Sequence, residues 1–293
     1  MTNALAGRLY VVATPIGNLG DLSARAQATL RDAGLIAAED TRHTGSLLHH
    51  FGIQTPLVSL HDHNERARAP ELVARMQGGG TIALVSDAGT PAISDPGYEL
   101  VRAAAAAGLE VIAVPGPCAL VAALSIAGLP TDRFCFEGFL PARRAARCAR
   151  LAAVAPEVRT LVFYESPHRV AEMLEDCAAQ LGPGRPAVAA REITKLHESL
   201  YRGSLAELAL RAGAERDFAR GEIVLIVAGK PERAQAAESG EDGHGGELDR
   251  VLKPLLKELP LKQAAHLAAQ IAAVRDNEAY KRALELKQAY GAP

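Results

Sequence analysis

Short apolar runs alternate with amphipathic stretches along most of this chain. Leu9 to Ala13, Leu35 to Ala38, Leu57 to Leu60, Ile82 to Val85 and Glu110 to Val114 read as strands: each is brief, mostly aliphatic and closely flanked by turn-forming residues. Between them apolar residues recur at helical spacing. Ala26, Leu30 and Ala33 mark one helix ended by Gly34, and others are predicted from Gly45 to Phe51, Glu65 to Gln77, Tyr98 to Ala107 and Cys118 to Gly128. The alternation predicts an α/β fold with a mostly parallel sheet covered on both faces.

Ligands of open parallel sheets bind beyond the carboxyl ends of the strands. The unusual loops of this chain all follow strands: Thr14 to Gly20, Glu39 to His43, His61 to Asn64, Ser86 to Gly97 and Pro115 to Pro117. The longest reads Ser-Asp-Ala-Gly-Thr-Pro-Ala-Ile-Ser-Asp-Pro-Gly, which offers backbone N–H groups with few side chains in the way. A ligand crevice is therefore expected at this edge.

The pattern restarts after Leu129-Pro130-Thr131. Strands are predicted at Phe134 to Phe139, Thr160 to Tyr164, Ala187 to Ile193 and Ile223 to Ala228, with helices at Arg143 to Val154, Val170 to Leu181 and Ser204 to Ala212. Pro231 to Gly246 shifts to Glu, Asp, Gly, Ser and Ala, a composition too polar to order itself. Leu252, Leu255, Leu256 and Leu259, then Leu267, Ile271 and Val274, return to helical spacing around a break at Pro260. The expected organisation is an α/β domain over 1–129, a second over 130–232, a linker over 233–246 and a small helical appendage over 247–293.

Charge and composition narrow the function little. The net charge of −2 over 293 residues leaves any nucleic-acid contact to local patches. Four scattered cysteines without a Cys-x-x-Cys pair argue against a structural zinc or a disulfide framework. No stretch reaches the roughly 18 apolar residues of a membrane span, and the first residues lack the pattern of a secretory signal. A cytoplasmic protein without membrane or DNA partners is expected.

Several chemistries are disfavoured by the motifs. Neither a P-loop nor a Gly-x-Gly-x-x-Gly fingerprint is present, and Ser166 lacks the surroundings of a hydrolase nucleophile. His61 and His63 share a face of an extended segment but lack a third partner, so no metal site is expected. Cys118 heads a predicted helix, which favours a thiolate, although a structural thiol is commoner. Arg143, Arg144, Arg147 and Arg150, with Arg159 nearby, form a candidate stripe for phosphates; a solvated helix face is the alternative. Lys253, Lys257, Lys262, Arg275, Lys281, Arg282 and Lys287 make the tail locally basic.

Seven ordered motifs carry a family resemblance. They are Thr-Pro-Ile-Gly-Asn-Leu from Thr14, Ala-Glu-Asp-Thr-Arg from Ala38, His-Asp-His-Asn-Glu from His61, Ser-Asp-Ala-Gly-Thr-Pro from Ser86, Val-Pro-Gly-Pro from Val114, Phe-Tyr-Glu-Ser-Pro-His-Arg from Phe163 and Arg-Glu-Ile-Thr-Lys from Arg191. Together they resemble the 16S ribosomal RNA cytidine 2′-O-methyltransferases of the tetrapyrrole methylase superfamily. The resemblance spans about 8 to 232 and extends to Glu258 to Ala265 in the tail.

That resemblance implies two α/β domains of the tetrapyrrole methylase type with a cofactor cleft between them, and a homodimer. It implies S-adenosylmethionine as cofactor and a cytidine ribose of small-subunit ribosomal RNA as methyl acceptor. The cofactor would meet Pro15, Ile16, Val85, Ser86, Asp87, Thr90, Cys118, Ala119, Tyr164, Glu165, Ile193 and Glu222. Relatives usually carry Ser or Thr where this chain has Cys118, and a thiol hydrogen-bonds more weakly.

Asp40 and Arg42 are the candidates for proton acceptance and for orienting ribose or phosphate, with an ion pair or helix cap as the plain alternative; His168 and Arg169 are outsiders. A small-molecule acceptor such as a tetrapyrrole and a non-catalytic ribosome-binding dimer remain open.

Overall fold

In the computed structural model, the residues described are 7–215, 218, 220–231 and 245–290. The described residues up to 155, together with those from 159 to 228, form one compact unit, and 156–158 with the described residues from 229 onward form another.

The first sheet has the order β3-β2-β4-β1-β5, built from β1 (Arg8–Val12), β2 (Leu35–Ala38), β3 (Leu57–Ser59), β4 (Ile82–Val85) and β5 (Glu110–Val114), all parallel. Its central strand β4 is buried throughout because each of its faces is covered. Ile82 and Leu84 pack with Leu72 and Met76 of α3 (Glu65–Gln77) and Leu100 and Ala104 of α4 (Tyr98–Ala106). Ala83 and Val85 pack with Ala26 and Leu30 of α1 (Ala24–Asp32) and Leu48 of α2 (Thr41–His50). This is the two-residue period of a strand with a core on either side. Helix α2 begins four residues before the predicted Gly45 because the Asp40 carboxylate accepts the Arg42 N–H and caps it.

The second sheet has the order β6-β7-β10-β8-β9: β6 (Phe134–Phe139), β7 (Thr160–Glu165), β8 (Pro186–Arg191), β9 (Ser199–Ser204) and β10 (Ile223–Val227). Only β6 and β7 run parallel; β10 lies antiparallel to both β7 and β8, and β8 to β9. Edge strand β9 is not predicted from sequence, since Ser-Leu-Tyr-Arg-Gly-Ser is half exposed and lacks a clear apolar alternation.

Three helices cover one face of this sheet: α6 (Arg144–Val154), α7 (Val170–Leu181) and α8 (Leu205–Ala214). The other face is covered by α5 (Ala119–Ala127), whose Leu120, Ala123, Leu124 and Ala127 meet Val162, Val188, Ala190, Val224 and Ile226. The helix that directly follows the first sheet thus closes the core of the second. Arg202 donates to the carbonyls of Ile126 (2.6 Å) and Ala127 (3.3 Å) at the end of α5.

Three arginines of the stripe, Arg144, Arg147 and Arg150 on α6, are paired with carboxylates. Arg147 is buried, donating to Asp176 at 2.8 Å and Glu172 at 3.1 Å, while Arg144 donates to Asp176 at 2.9 Å and Arg150 pairs with Glu137. A buried guanidinium survives only when its donors are met, and α7 supplies those acceptors.

The second unit holds three helices, α9 (Gly245–Glu258), α10 (Leu261–Ile271) and α11 (Asp276–Tyr290), around Leu248, Leu252, Ala265, Ala268, Ala279 and Ala283. Arg282 reaches back to both oxygens of Asp249 (2.6 and 2.8 Å) and fixes α11 against α9. Lys253, Lys257, Lys262, Arg275, Lys281 and Lys287 are exposed. The expected linker lies outside the described residues up to 244. Among the described residues no helix is long and apolar enough to cross a membrane.

Candidate active site

Three strand-end loops of the first sheet are tied into one wall. Thr14, after β1, exchanges backbone hydrogen bonds with Gly89, after β4, at 2.8 and 3.1 Å, and its buried hydroxyl donates to the Ser86 carbonyl at 3.2 Å. The Thr90 hydroxyl donates to the Pro117 carbonyl after β5 at 3.0 Å. The loop after β2 joins them, since the Asp87 carboxylate accepts the Asp40 N–H (3.0 Å) and the Glu39 carboxylate accepts the Asp87 N–H (3.3 Å).

Against this wall lies a cavity of about 350 Å³, of the size that takes small ligands and cofactors. Ile16, Thr90, Cys118, Ala119, Tyr164, Glu165, Ile193 and Glu222 line it, eight of the twelve residues that the family resemblance names. Pro15, Val85, Ser86 and Asp87 lie outside the lining: Val85 and Ser86 are buried, and Asp87 is engaged with Asp40 and Glu39.

The lining also contains residues that sequence reasoning missed, among them Ile93, Ser94, Asp95, Phe139, Ser166 and Val224. Ser94 and Asp95 belong to the run Ser94-Asp95-Pro96-Gly97, whose pattern reads as the turn into α4. They reach the cavity because Ala92 and Ser94 adopt left-handed backbone (φ 67° and 63°), and Ala92 donates its N–H to the Pro96 carbonyl. On the opposite side Ile193 is likewise flanked by left-handed residues, Glu192 and Thr194 (φ 51° and 70°). Such strain in non-glycine residues gathers where a binding site needs side chains aimed inward.

Each carboxylate of the lining has a different environment. Glu165 accepts from the Ser166 N–H at 2.9 Å and pairs with Arg169 at 3.3 Å. Arg169 also donates to the carbonyls of Leu140 and Pro141, so it is a structural clamp. Glu222 is mostly exposed and pairs with Lys195 at 3.1 Å. Lys195 also meets Glu192 at 2.9 Å; desolvation opposes both charges, but their mutual hydrogen bonds prevail, holding the Glu192 carboxyl low and the Lys195 ammonium high. Among the described residues Asp95 has no cation beside it. Burial pushes its carboxyl up to about 6, aided by the charges of Glu39, Asp87 and Asp62 and opposed by a hydrogen bond from Ser86.

Tyr164 links the two halves of the lining. Its hydroxyl accepts the Leu120 N–H in the first turn of α5 at 2.9 Å, and its ring lies edge-on to Phe136 and Phe139. Burial pushes the phenol far up, helped by the neighbouring Cys118 thiol, so it stays neutral. The Cys118 side chain makes no cap hydrogen bond to α5.

Asp40 and Arg42 are not in the lining. Arg42 donates through its side chain to both Asp40 oxygens (3.2 and 2.8 Å), and these bonds, with the Arg42 backbone N–H, hold the Asp40 carboxyl far below the usual range. A carboxylate so held is a weak proton acceptor. The His61 Nδ1 is buried without a partner, and no group of three potential metal ligands occurs among the described residues.

Residues 8–209 match the family model described as tetrapyrrole (corrin/porphyrin) methylases. This chain belongs to that family. Residues 242–287 of this methylase match a second model, the RsmI C-terminal HTH domain. The methylase is 55% identical to the Ribosomal RNA small subunit methyltransferase I of Pseudomonas aeruginosa, over 96% of this chain and 98% of that protein. It is 50% identical to the protein of the same name from Vibrio cholerae, over 94% of each. Its fold is that of uroporphyrin-III C-methyltransferase from Thermus thermophilus, solved with S-adenyl homocysteine, at TM-score 0.51 and 20% identity over 76% of this chain and 97% of that one.

Proposed function

We propose that this methylase transfers a methyl group from S-adenosylmethionine to the ribose 2′-oxygen of a cytidine in 16S ribosomal RNA of the small subunit, acting as a cytoplasmic homodimer. The observation that carries the reading is one apolar cavity, at the carboxyl edge of a parallel sheet, whose few polar groups are carboxylates, hydroxyls and a thiol. It sits in a chain whose relatives at about half identity are named small-subunit ribosomal RNA methyltransferases.

The donor set fits the cofactor. Ile16, Ile93, Ile193, Phe139 and Val224 offer apolar walls for an adenine, and Asp95, Glu165 and Glu222 offer negative charge to a cationic sulfur and an ammonium. When bound, S-adenosylmethionine supplies a methyl group activated by its attachment to positively charged sulfur. The protein's contribution is positional. Tyr164 fixes the start of α5, the bridge between Thr14 and Gly89 fixes the first wall, and the Lys195 pairings fix the Glu192 and Glu222 edge. Holding two reactants in attack geometry on a rigid frame removes much of the barrier to a bimolecular transfer.

The test is methylation of small subunits isolated from cells lacking the gene, with mass-spectrometric mapping of the product. One new 2′-O-methylcytidine in 16S RNA supports the proposal. Labelling of a porphyrinoid but not of the subunits overturns it in favour of a tetrapyrrole acceptor.

A further inference from the structure

We propose, resting on the reading above, that Asp95 is the proton acceptor of the transfer. The carboxylates lining the cavity are Asp95, Glu165 and Glu222, and two of them have a cation beside them that lowers their basicity: Arg169 by Glu165 and Lys195 by Glu222. Asp87 and Glu39 lie behind the lining and accept backbone N–H groups, and Asp40 is held by Arg42. Tyr164 keeps its proton and receives the Leu120 N–H. The groups facing Asp95 are thus carboxylates of three strand-end loops, Glu39, Asp62 and Asp87, with the Ser86 hydroxyl and the neutral Tyr164.

This environment suits a base. A carboxyl tuned to about 6 is ionised at neutral pH yet more basic than an ordinary carboxylate, which is the compromise that general-base catalysis favours. The left-handed residues Ala92 and Ser94 set the path of the loop that brings it to the cavity. In the step, the ribose O–H bond breaks and its proton passes to an Asp95 oxygen. The freed oxygen bonds to the methyl carbon, and the carbon–sulfur bond breaks with its electron pair remaining on sulfur. The carboxylate and the sulfonium lose their opposite charges together, so the cavity changes from an ion pair to two neutral groups.

That charge balance sets two readouts. Single-turnover methylation of small subunits is measured from pH 5 to 8 for the wild type, Asp95→Asn and Asp95→Glu. Calorimetric binding of S-adenosylmethionine and of S-adenosylhomocysteine is measured on the same proteins. The wild-type rate is expected to rise with pH and level off near or below 6, and Asp95→Asn to be slower by at least about 100-fold with no such rise. Asp95→Glu retains part of the rate with a displaced pH profile. S-adenosylmethionine should bind the wild type more tightly as pH rises through this range and lose that dependence in Asp95→Asn, whereas S-adenosylhomocysteine should bind both within about threefold.

Asp95→Asn turning over within tenfold of wild type, retaining the acid limb, or losing S-adenosylhomocysteine overturns the assignment. Wild-type protein that methylates no ribosomal RNA overturns the proposed function itself, and is told apart because it needs no variant.

Discussion

Arg147→Met is the substitution whose outcome separates a structural arginine row from an RNA-facing one. The Arg147 side chain is 1% exposed and gives three bonds: to Asp176 at 2.8 Å, to Glu172 at 3.1 Å and to the Ala142 carbonyl at 3.3 Å. Methionine keeps most of the buried stem, so the cavity contribution is small and the cost is mainly electrostatic. Asp176, also 1% exposed, is left with Arg144 alone. Breaking one side of a buried pair costs about 3–5 kcal/mol, and the surviving Arg144 bond places this case near 3. The bond to Glu172, whose side chain is 71% exposed, adds little.

Urea unfolding at pH 7 measures this loss. The pH dependence has a defined sign. Burial works against the charged Asp176, but the hydrogen bonds from Arg147 and Arg144 outweigh it and hold the carboxyl low. Its stabilisation is therefore present above the unfolded value of about 3.9 and lost as pH falls through the lower folded value. Without Arg147 the buried carboxyl moves up, so the variant's deficit should shrink between pH 7 and 4. Arg147→Met with Asp176→Leu should recover most of the loss. A loss under about 1 kcal/mol, with a weaker and less salt-dependent affinity for RNA, would refute the buried-pair account.

Two further predictions concern the edges of the cavity. At Gly221 the backbone is left-handed (φ +79°), and an added Cβ would lie 2.3 Å from Cδ of Glu192, so Gly221→Ala should cost about 1–3 kcal/mol in urea unfolding. It should also weaken S-adenosylhomocysteine binding by displacing Glu192 from the Glu222 N–H; unchanged affinity would show that this edge does not bear on the ligand. Asp40→Asn keeps a side chain able to cap α2 and should leave the methylation rate within about threefold, because Asn caps about as well as Asp. A hundredfold loss would return the proton-acceptor role to Asp40.

Much of the first sheet was legible because its strands are short apolar runs and its loops are rich in Gly, Pro, Asp and Ser. Helix α3 and strand β6 fall on their predicted bounds. The less legible elements depend on partners far away in sequence. Strand β9 is recognised by its pairing with β8, not by its own pattern. The spacing of Arg144, Arg147 and Arg150 places them on one side of a helix but does not say whether that side meets water or α7. Asp176, 29 residues beyond Arg147, decides it.

The same division holds at the candidate site. The family resemblance named eight of the residues that line the cavity, and sequence pattern by itself determined the alternating α/β framework and the collection of special loops at one strand edge. Those features are local: a turn residue or an apolar run acts wherever the chain places it. Tertiary structure alone decided that α5 closes the second sheet, that Asp40 is bound to Arg42 away from the cavity lining, and that Asp95 stands in that lining with no cation beside it among the described residues. Whether a carboxylate is an ion-pair partner, a helix cap or a proton acceptor depends on its desolvation and on neighbouring charges, and the folded arrangement of several loops sets both.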